Sequence, residues 1–405
     1  MTIFGLRRTL ACLAMGAALI VQSSQALAVD ILIGYIQWQP DPGPVLSNVL
    51  PEPEDAGLRG AELGIDDNNS TGRFLNQKYI LKAVVAADET VAMAALEALV
   101  AEGIDKIVLN VPANTLQAMA DRATELQAMG TRSGGRQVLL FNASAREDHL
   151  RVRDCRPNVL HTHPSHAMLT DALAQWANSR RWTDVFLITG ATEGDLAWAE
   201  SFRRASKRFG LDIVEHKPWT FDADLRRTAS KELPLFTQGP DYDLVVVADE
   251  RGDFGEYVPY NTWLPRPVAG TAGMTPVAWH RVVESWGAAQ LQNRFTELAK
   301  RDMNSKDYAA WAAVRSVGTA LTQIQQADAD SVRAFLLSDE FELAAFKGRP
   351  LTYRNWNGQL RQPIPLVHPR GLVTQAPIEG FLHPKTELDT LGYDEPESQC
   401  RIQQP

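Results

Sequence analysis

The chain is predicted to be an α/β protein of two doubly wound lobes joined by a hinge. Three observations predict this. Short apolar strands alternate with amphipathic helices through most of the 405 residues, the pattern of a parallel sheet covered by helices. The alternation runs once, pauses at an extended segment near 159–163, and then begins again. Finally, the chain is longer than one hydrophobic core usually holds, so two lobes are the default.

In the first half, strand 31–36 leads through a loop rich in proline (Pro40, Pro42, Pro44, Pro51, Pro53) to a helix at 54–68. Leu58, Ala61 and Ile65 share one face of that helix. Strand 79–86, helix 91–101 (ended by Gly103), strand 106–110, helix 115–129 and strand 137–141 follow. After 159–163 come helix 165–180, strand 184–189, helix 195–209 (closed by Gly210), strand 211–216, helix 224–232 and strand 244–248. A shorter strand is expected at 267–270. A Trp-bearing, mainly helical stretch is expected at 274–303, then helices at 308–326 and 331–338. The end is Pro-rich, with strands at 351–354 and 363–367. No repeat of solenoid period is visible.

Residues 1–28 have the features of an export signal. Arg7 and Arg8 form a basic start, 10–21 is an apolar run, and Ala26-Leu27-Ala28 is a small-residue cleavage pattern. The run is short for a membrane span and is followed by polar Gln22-Ser23-Ser24-Gln25. Cleavage after Ala28 and a soluble periplasmic protein without membrane insertion are therefore expected. Loss of Arg7 and Arg8 takes the formal charge from −9 to −11, which disfavours nucleic acid and anionic lipid as partners. Cys155 and Cys400 remain after cleavage. An oxidising compartment permits a bridge between them, with two separate buried thiols the alternative.

From about Asp30 to Val367 the chain resembles a type I periplasmic substrate-binding protein of the branched-chain amino acid class. The segments carrying the resemblance are Ile33-Gly34-Tyr35, Ala87-Asp88-Glu89-Thr90, 108–115, Phe141-Asn142-Ala143-Ser144 and 189–195, in order and spacing. The Trp- and Pro-rich character and His161-Thr162-His163-Pro164 are similar to the branch associated with PQQ-dependent alcohol dehydrogenase systems. The resemblance implies two Rossmann-like lobes, a soluble receptor closing on a small molecule or metal ligand, and an ABC transporter permease as partner. For that branch it also implies a link to lanthanide supply. The division expected is 29–160 plus 268–348 for lobe 1 and 161–267 plus 349–385 for lobe 2. A tail follows at 386–405, and the crossings fall near His161, Gly270 and Lys347.

In open α/β sheets the ligand site lies beyond the C-terminal strand ends. Those loops carry the candidate ligand-binding residues Trp38, Asp41, Asp88, Glu89, Asn114, Asn142 and Ser144 in lobe 1. In lobe 2 they carry Glu193, Asp195, Asp249 and Glu250, with Arg251 and Asp253 beside them. Asn114, Thr115 and Ser144 keep part of the family's hydroxyl and amide pattern, whereas 271–273 shows no acid. Converging carboxylates need a cation or several donors. The site is thus read as a cleft for a hard cation, calcium-like or a trivalent lanthanide, or its chelate. The competing reading makes Asp88 and Asp195 helix N-caps. His161 and His163, on one face of an extended strand, form a candidate metal pair or a polar crossover. Trp38 is either a stacking surface or core filler. Arg146, Arg151 and Arg153 are either an anion grip or a solvated run paired with Glu147, Asp148 and Asp154. No G-x-S-x-G, H-E-x-x-H or phosphate-loop pattern is present, so the sequence argues for a binder over an enzyme. An organic ligand (amino acid, alcohol, aldehyde or quinone) with a sensor or delivery role is the alternative, and a hydrolase a more distant one.

Overall fold

The structure is a computed structural model and describes residues 29–41, 43, 47–129, 137–220, 225 and 228–402. The export signal lies outside the described residues. β1 (Val29–Gln37), β2 (Gln77–Val85), β3 (Lys106–Asn110), β4 (Leu139–Asn142) and β5 (Val159–His161) form a parallel sheet in the order β2-β1-β3-β4-β5. Alternation along these strands divides the apolar side chains between two faces. Ile33, Tyr35, Val108 and Phe141 enter one core, while Ile36, Ile107, Leu109 and Leu140 enter the other. The second face is covered by α2 (Glu89–Ala101) and α3 (Ala113–Met129). The first is covered by α1 (Leu58–Gly72) together with helices from much later in the chain. α1 starts four residues later than expected, because Gly57 stands at φ 88°, outside the helical region.

After the short α4 (His149–Val152) and α5 (His166–Ser179), the second parallel sheet is built from β6 (Asp184–Thr189), β7 (Asp212–Pro218), β8 (Leu244–Ala248) and β9 (Val268–Gly270), in the order β7-β6-β8-β9. α6 (Glu193–Phe209) buries Trp198, Phe202, Ala205 and Phe209 and ends on left-handed Gly210. α7 (Ala229–Phe236) lies about one turn beyond its expected place, and Asp224 is outside the described residues. β9 belongs to the second sheet by its pairing with β8, although 268–348 was expected in lobe 1.

β10 (Thr275–Pro276), β11 (Ile364–His368) and β12 (Gly371–Ala376) form a small antiparallel sheet. The chain then returns to the first core with α8 (Ala288–Ala299), α9 (Ser305–Ile324) and α10 (Ala329–Leu336). The expected long helix at 274–303 is thus replaced by β10, an irregular stretch and α8. Trp286 (φ 58°) and Gly287 (φ 81°) break helical continuity there. α1 and α9 approach closely through Gly60, where a Cβ would lie 1.9 Å from the Asp307 carbonyl oxygen. The strand expected at 351–354 is reduced to single bridges, Leu343 to Leu351 and Tyr353 to Leu360.

Cys155 and Cys400 form a disulfide. It fixes the tail against α4, where the Gln399 amide donates to Val152 O at 2.7 Å and Ser398 Oγ to Arg151 O at 2.9 Å. Among the described residues no helix is long and apolar enough to cross a membrane.

Candidate functional site

Three chain segments run side by side between the two sheets. The Leu360 amide donates to His161 O and the His161 amide to Gly358 O, both at 2.8 Å, while the Val277 amide donates to Pro365 O at 3.0 Å. Isolated crossings leave carbonyls without ladder partners, and side chains supply the missing donors. Gln359 Nε2 donates to His161 O and His163 O, and Gln362 Nε2 to Thr162 O. Lys347 Nζ, buried, donates to Gln362 Oε1 at 2.8 Å and Pro363 O at 3.0 Å. Burial pushes this ammonium well below its ordinary pKa. Arg151, read from sequence as part of a surface run, is buried and donates to Gln359 Oε1, Ala145 O, Glu147 O and His163 O.

Against this hinge lies a cavity of about 270 Å³. The first lobe contributes Glu52, Arg146, Asn304, Ser305 and Lys306, and the second Trp198, Asp249, Glu250 and Thr271; His163, Leu169, Gly270 and 275–278 complete its lining. Among the described residues an ion pair crosses between the lobes. Arg146 meets Glu250 at 2.8 Å, and His166 Nε2 lies 3.1 Å from the same carboxylate oxygen. Burial alone would raise the Glu250 pKa, but Arg146 and His166 outweigh it and hold the carboxyl at about 2. Nearby, the Pro-rich loop reaches the second lobe: Ser47 Oγ donates to Gly252 O and the Asn48 amide to Glu256.

Two of the candidate carboxylates, Asp249 and Glu250, line this cavity. The others have local structural tasks. Asp88 is exposed and caps α2 by accepting from the Val91 amide at 2.8 Å. Glu89 accepts from Thr115 Oγ1 at 2.6 Å. Asp195 closes a capping box with Thr192 and also accepts from the Glu250 amide at 2.6 Å. Glu193 and Asn114 are exposed. Asp41, also exposed, accepts from the Gly43 amide. Trp38 packs half-buried on the core beneath α2 and α3. Asn142 is buried and accepts from the Ser144 and Ala145 amides, and Ser144 Oγ donates to Val111 O.

The histidine pair does not converge. His161 Nδ1 meets Asn142 Nδ2 at 3.0 Å, whereas His163 Nδ1 faces Pro164 O at 2.9 Å and His163 lines the cavity. Burial, with Arg151 or Arg146 nearby, keeps both rings well below their ordinary pKa. Among the described residues no group of three or more His, Cys, Asp or Glu is placed to hold a metal ion. The structure gives the expected hard-cation cleft no support: Asp88, Glu89, Asp195, Asp249 and Glu250 are engaged separately by amides, hydroxyls or a cation, and Glu193 is exposed.

A family profile described as periplasmic binding protein matches residues 51–229. Among solved structures, a branched-chain amino acid ABC transporter periplasmic ligand-binding protein from Burkholderia xenovorans is 15% identical with a TM-score of 0.71, covering 92% of this chain and 100% of its own. A leucine-, isoleucine-, valine-, threonine- and alanine-binding protein from Brucella ovis, in closed conformation, is 13% identical with a TM-score of 0.66, covering 84% and 90%. The chain has the type I periplasmic binding protein fold. A solute-binding protein of an ABC transporter from R. palustris, in complex with benzoate, is 12% identical with a TM-score of 0.61, covering 86% and 96%. No curated protein matches the chain.

The type I fold puts the strand ends of both sheets on either side of the cavity. Sequence reasoning missed Glu52, Lys306, Thr271 and Thr275 there, and left Arg146 between an anion grip and a solvated surface run. Lys306 and Ser305 open α9, so only the return of the chain to the first lobe brings them to the cleft. Spacing within the first half carries no signal for them.

Proposed function

We propose that this chain is the periplasmic solute-binding component of an ABC transporter, closing its two lobes on a small organic ligand for delivery to a membrane permease. The observation that carries this reading is the cavity lined from both lobes and from the hinge, with Arg146 and Glu250 joined across it. Trp198, Leu169 and Val277 supply apolar wall, while His163, Thr271 and Thr275 supply polar groups. These residues replace most of the strand-end acids as the proposed ligand contacts. Because the carboxylates are engaged one by one, we take the ligand to be organic rather than a lanthanide, calcium or a chelate. A link to PQQ-dependent alcohol oxidation rests on sequence likeness in 161–164 and on composition.

The test is genetic and physical together. A strain lacking this protein should lose permease-dependent uptake of a solute that also raises the melting temperature of the purified protein. Uptake that persists without the protein for every stabilising solute would refute the transport reading and favour a sensor.

A further inference from the structure

Resting on the solute-binding reading, we infer that the ligand is a small uncharged molecule carrying a hydrogen-bond donor, such as a hydroxyl or a primary amide. The charged groups lining the cavity are already matched within the protein. Glu52 meets Lys306 at 2.5 Å and Glu250 is shared by Arg146 and His166. Asp249 is saturated by the backbone amides of Gly252, Asp253, Phe254 and Gly255, at 2.6 to 3.0 Å. A ligand carboxylate would have to take Arg146 or Lys306 from its partner, and a ligand ammonium would have to take Glu250 or Glu52. Stripping Glu250, 13% exposed, of Arg146 would leave a largely buried charge without its counter-ion, which is costly; the Glu52–Lys306 pair is more exposed, and an exchange there breaks an existing ion pair. An uncharged ligand requires no exchange.

His163 identifies the complementary group. Its Nδ1 faces a carbonyl oxygen, which only accepts, so Nδ1 carries the proton and Nε2 is left as an acceptor. Among the described residues nothing hydrogen-bonds Nε2, and the ring lines the cavity. A neutral imidazole acceptor in a partly apolar cavity favours a ligand O–H or N–H. At about 270 Å³ the space is just under the usual range for small-molecule sites (roughly 300–1,000 Å³), so the ligand is small.

Shape-matched probes differing only in charge test this: isobutyramide, isobutyrate and isobutylamine, and benzamide with benzoate, plus leucine as a zwitterion. Calorimetric titration of the mature protein should show at least one amide binding tenfold or more tighter than its charged partners. His163→Phe should weaken that amide tenfold or more and leave the far-ultraviolet spectrum unchanged. Arg146→Met, which releases Glu250, should admit isobutylamine where the parent does not. Leucine, isobutyrate or benzoate binding as tightly as the amides, with a domain closure seen by small-angle scattering, would overturn the uncharged class while leaving the solute-binding reading standing. Silence from all the amides overturns the inference as well. An uptake phenotype absent for every solute overturns the underlying reading instead.

Discussion

Replacing Glu250 with Gln should open the molecule. Glu250 sits at the start of the loop after β8, and its carboxylate is held by the first lobe through Arg146 and by the second through His166. Its pKa of about 2 against an ordinary 4.5 corresponds to about 3 kcal/mol of preference for the ionised, paired state. Arg146 retains 35% side-chain exposure, so screening reduces the amount attributable to the pair to about 2 kcal/mol. That is roughly a thirtyfold change in the closing equilibrium. Spin labels at the positions of Ala94 on α2 and Lys207 on α6, both exposed, would report the interlobe distance. At neutral pH the distribution should move from short to long in Glu250→Gln. The pH dependence has a definite sign: a carboxyl whose pKa is depressed on closing stabilises the closed form above the free value. That contribution is lost as pH falls from 4.5 toward 2. The wild type should therefore open progressively below pH 4.5, and the Gln variant should lack that component. A double cycle with Arg146→Met should be non-additive by at least 1 kcal/mol. Identical distance distributions for wild type and Glu250→Gln at pH 7 would refute the argument.

Three further outcomes follow from the packing. Gly60→Ala should lower stability by about 1–3 kcal/mol through overpacking, since the new methyl meets the Asp307 carbonyl; a raised melting temperature would mean helix propensity wins instead. Cys155→Ser should cost about 2–4 kcal/mol, because the bridge closes a long loop across a sequence separation of 245; calorimetry with and without reductant should show that only the parent responds. Burial holds the Lys347 ammonium well below its ordinary pKa of 10.5 in the fold, so the unfolded chain binds that proton more tightly. Wild-type stability should thus rise with pH towards 10.5, by at most about 1.4 kcal/mol per pH unit, and denaturant titrations of Lys347→Met should lack that rise.

The alternating layers were legible because parallel strands buried on both faces and amphipathic helices write distinct periods into the sequence. The run 106–110 and the face of α6 are examples. Boundaries were legible only where the capping residue was local. Asp88 was put forward as a ligand residue with the cap as the competing reading, and the cap is what it forms; Thr192 was missed and α6 was started at Asp195. The site was far less legible. The acids at strand ends looked convergent on a line of sequence, yet an N-terminal acid of a helix is used first by the nearest free amides. Asp88 and Asp195 are spent in this way. Conversely, Arg146 and Lys306 lie 160 residues apart and meet the cavity only through tertiary folding. Helix 274–303 failed because apolar content was read without the positive-φ positions Trp286 and Gly287.

The hinge and the interlobe pair separate two requirements that a closing receptor must meet together. The crossings are held by backbone amides, by Gln359 and Gln362, and by two buried basic side chains, Arg151 and Lys347, bonded to carbonyl and amide oxygens. None of those contacts involves Arg146 or Glu250. Moving the lobes therefore need not break the polar network that keeps the crossings in register. The Arg146–Glu250 pair beside the cavity instead supplies an electrostatic contribution to closure from within the protein. On the inferred uncharged ligand class, a ligand entering that cavity contributes shape and hydrogen bonds rather than charge. Ligand preference can accordingly be altered at His163 or Thr275 without resetting how strongly the lobes close.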